Sequence, residues 1–378
     1  MTNSKIWLSS PHMGGNEQKY VKEAFDTNWV APLGPNVTGF EHDLQTFLND
    51  DLYVAALSSG TAAIHLGLVL LGVQAGDEVI CQSFTFSASA NPIVYLGATP
   101  IFIDSEMDTW NMCPIALELA IVDRLKKGRK PKAIIPVHLY GMPFKVDEIR
   151  AIADKYRIPI LEDSAEALGS NYKGKKCGTF GDIGVLSFNG NKIITTSGGG
   201  ALVTHSKNVK TKAVFLATQA RDNAIHYQHS EIGYNYRLSN ICAGIGRGQM
   251  EILDKHVNLR RKMHDFYLDF FNEIEEVTVF HEPNSDFHSN HWLSCITINS
   301  DKLNKTNEKL QVALENENIE SRSLWKPMHL QPVFEKYPYY GSNVASLLFQ
   351  NGLCLPSGSN LTVIDQERIA DALHRFFR

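Results

Sequence analysis

The chain has 378 residues, 36 lysines and arginines against 41 aspartates and glutamates, and a formal net charge of −5. Ordinary apolar and charged fractions mark a globular chain, the length suggests two domains, and the charge leaves no basic footprint for nucleic acid. The N-terminal segment has no apolar core of signal-peptide length, and the longest apolar stretch, 62–73, is broken by His65 and too short for a membrane span.

The six cysteines (81, 113, 177, 242, 295 and 354) are scattered, with no C-x-x-C and no partner histidines at metal spacing. They read as reduced thiols of a cytoplasmic protein, and no metal site is expected.

In chain order, Trp29, Pro32, Gly34 and Pro35 follow a helical run at 16–25 and lead into a second at 36–47. From there to about residue 205, short apolar runs alternate with helical patterns such as 61–71 and 146–156. The runs 53–56, 79–82, 100–104, 133–137, 159–162, 184–188 and 201–204 are candidate strands. Strands apolar on both faces and separated by helices predict a buried, largely parallel sheet in an α/β domain. After Asn235 the texture changes. A long amphipathic run, 238–274, reads as two helices or one bent helix, followed by strands at 277–280 and 291–297 and helices at 307–316 and 365–377. This predicts a smaller α+β domain, with 1–250 as the large domain and its N-terminal arm and 251–378 as the small one.

Four stretches carry candidate chemistry. Ser58-Ser59-Gly60-Thr61-Ala62 follows a strand and opens a helix, where glycine and free amides make an anion cradle; an ordinary N-cap explains the same residues. No G-x-G-x-x-G follows, which removes the main support for a dinucleotide site. Phe86, beyond the strand ending at Gln82, could stack on a flat ligand or be simple core. In Leu161-Glu162-Asp163-Ser164-Ala165-Glu166, carboxylates stand at a strand exit, the edge where open α/β sheets bind ligands. A buried carboxylate there needs a cationic partner, unless it caps the next helix. In the stretch 181–200 a strand runs into a polar turn holding Lys192, then a glycine triplet. A lysine facing a cleft there is partly desolvated and fixed, as an amine nucleophile requires; a solvated lysine in a hairpin is the plain alternative. Together these pieces ask for a planar cofactor with a phosphate, a basic ring nitrogen and an aldehyde, which is pyridoxal 5′-phosphate.

The order Ser-Gly-Thr-Ala, Glu-Asp-Ser-Ala-Glu, Ser-Phe-Asn-x-x-Lys with Gly-Gly-Gly, and Gly233-Tyr-Asn-Tyr-Arg237 resembles the DegT/DnrJ/EryC1/StrS sugar aminotransferases. The likeness covers nearly the whole chain, including Pro11-His12, Gly34-Pro35 and the stretch Leu324-Trp-Lys-Pro-Met-His-Leu-Gln-Pro332. It implies a fold-type I aminotransferase: a large domain with a mostly parallel seven-stranded sheet, and a small C-terminal α+β domain. It implies that Lys192 bonds the cofactor and moves the proton, and that Asp163 pairs with the ring nitrogen. Phe86 would stack on the ring, and Gly60, Thr61 and Ser187 would hold the phosphate. Asn235 would reach the phosphate of a neighbouring subunit, implying a homodimer with shared sites. Glu166 stands where many members carry Gln or His, and Gly198-Gly199-Gly200 replaces the commoner Gly-Glu-Gly-Gly.

Relatives with histidine at the lysine position are dehydratases, so lysine implies transamination, with ping-pong kinetics through pyridoxamine 5′-phosphate. The stretches 187–200 and 226–233 resemble the subgroup that aminates C4 of UDP-4-keto-6-deoxy-N-acetylglucosamine with L-glutamate, for bacillosamine-type bacterial glycans. His226, His229, Trp325 and His329 are its candidate substrate contacts, each with an equal structural reading. Two alternatives remain: C3 amination of a dTDP- or GDP-linked keto-sugar, and a non-catalytic sugar-nucleotide-binding protein.

Overall fold

The computed structural model describes residues 4–303 and 305–378. The seven expected strands are present as β1 (Tyr53–Leu57), β2 (Glu78–Gln82), β3 (Thr99–Ile103), β4 (Ala133–Ile135), β5 (Leu161–Asp163), β6 (Ile183–Ser187) and β7 (Gly200–Thr204). Later in the chain come β8 (Val277–Val279), β9 (Ser294–Ile298), β10 (Arg322–Ser323), β11 (Tyr339–Tyr340) and β12 (Gly352–Leu355). Three two-residue strands, Asn171–Tyr172, Lys175–Lys176 and Phe287–His288, form a small sheet of their own.

The large sheet has the order β11-β3-β2-β4-β5-β6-β7-β1, its two ladders joined by the parallel bridges Ile134–Ile160 and Val137–Asp163. Only β7 runs against its neighbours, antiparallel to both β6 and β1. The eighth strand, β11, comes from the C-terminal part of the chain and lies parallel on β3. Helices such as Gly60–Leu70 and Val146–Tyr156 cover the sheet. That burial on both faces is why its strands read as continuous apolar runs. Because β1, β5 and β6 run in one direction, their carboxyl ends open on one edge.

The run 238–274 forms two helices, Asn240–Met250 and Leu253–Phe271. The second sheet, β8-β9-β12-β10, is wholly antiparallel. Tyr267 and Phe271, Leu310 and Leu314, and Ile369 and Leu373 close one core with Ile296 and Ile298 of β9. Strand pairings cross the expected boundary at 250, among them Phe287–His288 antiparallel to Asn171–Tyr172. Ile6 of the N-terminal arm makes a parallel bridge to Ile319, and β11 returns to the large sheet.

Several strand bounds shift, 133–137 shortening to Ala133–Ile135 among them. The run 291–297 begins as a strand only at Ser294, because His291 has φ 44°, in the left-handed region that ends an extended run. The run 159–162 becomes Leu161–Asp163, since Pro159 has no N–H for a ladder.

Candidate active site

The site is built at the carboxyl edge of the large sheet, around a cavity of about 580 Å³. After β1 the chain enters helix Gly60–Leu70, with the Ser59 hydroxyl capping the Ala62 N–H at 3.0 Å. Gly60 and Thr61 line the cavity in the first helical turn, whose N–H groups lack partners within the helix. Ser187, last residue of β6, lines it beside them. A Cβ on Gly60 would stand 3.2 Å from the Ser187 hydroxyl oxygen, and one on Gly200 would stand 2.4 Å from the Gly60 nitrogen. Gly200, the last of the glycine triplet, thus lets the start of β7 lie directly against the helix start.

Lys192 sits in the connection between β6 and β7, in a turn closed by its own N–H bonding Asn189 O at 3.0 Å. Ser9 of the N-terminal arm and the Trp292 indole N–H both donate to Asn191 O at 2.7 Å, clamping the turn. The lysine side chain is 12% exposed; Nζ lies 3.2 Å from Glu166 Oε1 and 4.0 Å from the centre of the Trp292 ring. The antiparallel pairing of β6 with β7 is a wide hairpin, yet its lysine faces the cavity and not bulk water.

Glu162 and Asp163, consecutive in β5, diverge because side chains alternate along a strand, and Glu166 follows in the turn beyond it. Glu162 points away from the cavity and is saturated by His138 at 2.7 Å and the N–H groups of Gly178, Phe180 and Gly181. Burial pushes its pKa up, but those bonds hold it below the ordinary value. Asp163 turns into the cavity, where Oδ2 accepts from the Ser89 hydroxyl at 2.6 Å and Oδ1 from the Ala165 N–H at 3.1 Å. Burial raises its pKa, and Ser89, Ala165 and Lys192 pull it only part of the way back. Glu166 also lines the cavity and accepts from the Tyr140 N–H at 2.7 Å. Burial outweighs Lys192 and Tyr140 there and pushes its pKa up to about 7.

These residues fit pyridoxal phosphate. Asp163 is a buried anion with two neutral donors and no ion pair among the described residues, the setting a cationic ring nitrogen would complete. The helix start at Gly60 and Thr61 with Ser187 offers phosphate a set of donors, and Lys192 offers an amine. Phe86 lines the cavity, 56% exposed, with its ring 5.4 Å from that of Trp325, which lines it too.

The remaining expected residues lie elsewhere. Asn235 is exposed, and its backbone bridges Thr218. His226 and His229 are exposed in a loop, His229 Nδ1 lying 2.8 Å from Gln219 O. Neither lines the cavity of this chain. His329 lies between the Ser83 and Ser346 hydroxyls, at 2.6 and 3.2 Å, and stacks on Tyr339 at 3.8 Å, a structural setting away from the cavity. Sequence reasoning missed Ser89, Trp292, Glu320 and Arg322, all in the cavity wall. Ser89 could have been found, since it follows Phe86 at the same strand edge; the others are distant in sequence and carry no local signal.

The sequence profile described as the DegT/DnrJ/EryC1/StrS aminotransferase family matches residues 11–374. The chain belongs to this family. It is similar to EpsN of Bacillus subtilis (strain 168), provisionally named a pyridoxal phosphate-dependent aminotransferase, with 50% identity over 99% of this chain and 96% of the relative. GDP-perosamine synthase of Escherichia coli O157:H7 is 37% identical over 98% of both chains. Among solved structures, the PLP form of Spr1654 from Streptococcus pneumoniae, provisionally named a sugar aminotransferase, superposes with a TM-score of 0.89 and 26% identity. That match covers 99% of this chain and 98% of the other. This DegT/DnrJ/EryC1/StrS protein is therefore a fold-type I, pyridoxal phosphate-dependent sugar aminotransferase. Among the described residues no helix is long and apolar enough to cross a membrane.

Proposed function

We propose that the enzyme moves an amino group from L-glutamate to C4 of a nucleotide-linked 4-keto-6-deoxy sugar, UDP-4-keto-6-deoxy-N-acetylglucosamine, for a bacterial glycan. One observation carries the amino transfer: Lys192 and Asp163, which makes no ion pair among the described residues, open into one cavity. The choice of sugar rests on the resemblance of 187–200 and 226–233 to the C4-aminating subgroup. The name of the 37%-identical relative favours a second reading, a GDP-linked substrate.

Bound pyridoxal phosphate supplies an aldehyde for an amine and a cationic ring that withdraws electrons from the substrate carbon. In the proposed scheme Asp163 keeps the ring nitrogen protonated, and Ser89 and the Ala165 N–H keep Asp163 aimed at it. Gly60, Thr61 and Ser187 anchor the phosphate, and Phe86 covers the ring. Lys192 Nζ takes the proton from the α-carbon of the donor and later delivers one to C4 of the sugar, as general base and then acid. Trp292, packed over Nζ at 4.0 Å, keeps water from that proton. Asn235 completes the phosphate site of a second copy, so the working unit is a homodimer. We place the reaction in the cytoplasm, in keeping with six free thiols.

Incubating the enzyme with pyridoxal phosphate, glutamate and a panel of UDP-, GDP- and dTDP-linked keto-sugars, with products read by mass and NMR, tests this. A 4-amino UDP-sugar is expected. A 3-amino product, or turnover confined to the GDP-sugar, removes the UDP assignment, and no amination of any sugar removes the whole reading.

A further inference from the structure

The cavity wall holds only two cationic side chains among the described residues, Lys192 and Arg322. Lys192 is engaged in the chemistry, which leaves Arg322 without a role. It lies on β10 directly opposite Cys354 of β12, and both face the cavity. Its Nε and Nη2 donate to Glu320 Oε1 at 3.0 and 2.6 Å, and its side chain is 66% exposed. Glu320 has a second partner, the Leu8 N–H of the N-terminal arm, 3.0 Å from Oε2. Burial pushes the Glu320 carboxyl up, but the Leu8 N–H and Arg322 hold it below its ordinary value.

Glutamate carries its α-carboxylate one carbon from the reacting amine, so a carboxylate must enter the cavity with it. The sugar brings hydroxyls to the same place, with its diphosphate on the far side of the ring from C4. An unpaired carboxylate in this cavity would be costly, and a guanidinium fork matches it with two parallel hydrogen bonds.

We propose that Arg322 receives a carboxylate of the amino donor, leaving Glu320 to do so and returning to it when the donor departs. The exchange breaks a partly exposed ion pair of low cost, and Glu320 keeps the Leu8 N–H meanwhile. Arg322 is thus a donor-binding residue that the sugar does not need in the same way. The assignment rests on the reading of the enzyme as glutamate-dependent.

Two measurements on the pyridoxal phosphate-loaded enzyme test it. Glutarate, a dicarboxylate without an amine, is titrated by calorimetry, and conversion of the cofactor by glutamate alone is followed by absorbance. Arg322→Gln is expected to weaken glutarate about 10- to 100-fold and to lower kcat/KM for glutamate as much, through KM. Arg322→Lys should recover part of the loss. Glu320→Gln, which removes the competing charge, should tighten glutarate about two- to fivefold. Unchanged glutarate binding in Arg322→Gln, or a loss in kcat alone, overturns the proposal. So does a loss of UDP binding that exceeds the loss of glutarate binding. If the wild-type enzyme neither binds glutarate nor is converted by glutamate, the donor reading fails and takes this assignment with it. Failure on the sugar panel alone leaves the glutamate measurements standing.

Discussion

Within five residues of one strand exit, Glu162, Asp163 and Glu166 carry the same charge and meet three different fates. All three are desolvated, but Glu162 is consumed by structure, whereas Asp163 and Glu166 face the cavity. Asp163→Asn keeps the shape and removes the charge, so the affinity for pyridoxal phosphate should fall about 10- to 100-fold, read by absorbance titration. The cofactor-free protein should not lose stability in that variant, whereas a purely structural cap would. Glu166 has a folded pKa of about 7 against 4.5 ordinarily, so the native state binds its proton more tightly than the unfolded state. This group therefore lowers stability progressively as pH rises from the unfolded to the folded value, and by a constant amount above. In cofactor-free protein, Glu166→Gln should gain on wild type by roughly 3 kcal/mol across that interval, with the difference flat at higher pH. Denaturant unfolding at a series of pH values measures it, and a pH-independent difference contradicts it.

The connection between β6 and β7 is the element on which the site depends, and its close packing is imposed by Gly200. The Cβ of Gly200→Ala would meet the Ser59–Gly60 peptide, at 2.4 Å from the Gly60 nitrogen and 2.5 Å from the Ser59 carbonyl oxygen. We expect a loss of about 1–3 kcal/mol in unfolding free energy and weaker phosphate binding, measured by denaturation and by cofactor titration. Much of this architecture was legible: seven apolar runs marked seven buried strands, and Ser59-Gly60-Thr61 marked a helix start. The direction of β7 was not, because a strand buried on both faces reads the same either way along. The two-residue strands β10 and β11 are too short to leave a period, and pairing from distant chain alone creates them. His291, too, looks like a strand residue until its left-handed backbone is seen.

At the scale of the molecule, the cavity is closed by parts far apart in sequence: Ser9 of the arm, Trp292 before β9 and Arg322 on β10 all reach it. No local pattern could announce them, whereas Lys192, Asp163 and Gly60 each stand at a strand end that the sequence displays. The proposed sharing of sites makes a further prediction. Lys192→Ala and Asn235→Ala subunits, mixed and refolded together, should form heterodimers with one wild-type site, so that activity exceeds the sum of the separate variants. Simple additivity would place Asn235 outside the site. The proposed chemistry stands or falls with the bond between Lys192 and the cofactor. The protein is loaded with pyridoxal phosphate, reduced with borohydride, digested and mapped by mass spectrometry. The peptide containing Lys192 should carry a pyridoxyl group, and Lys192→Ala should be folded and unlabelled. A label on another lysine, or none on the wild-type protein, would contradict the account.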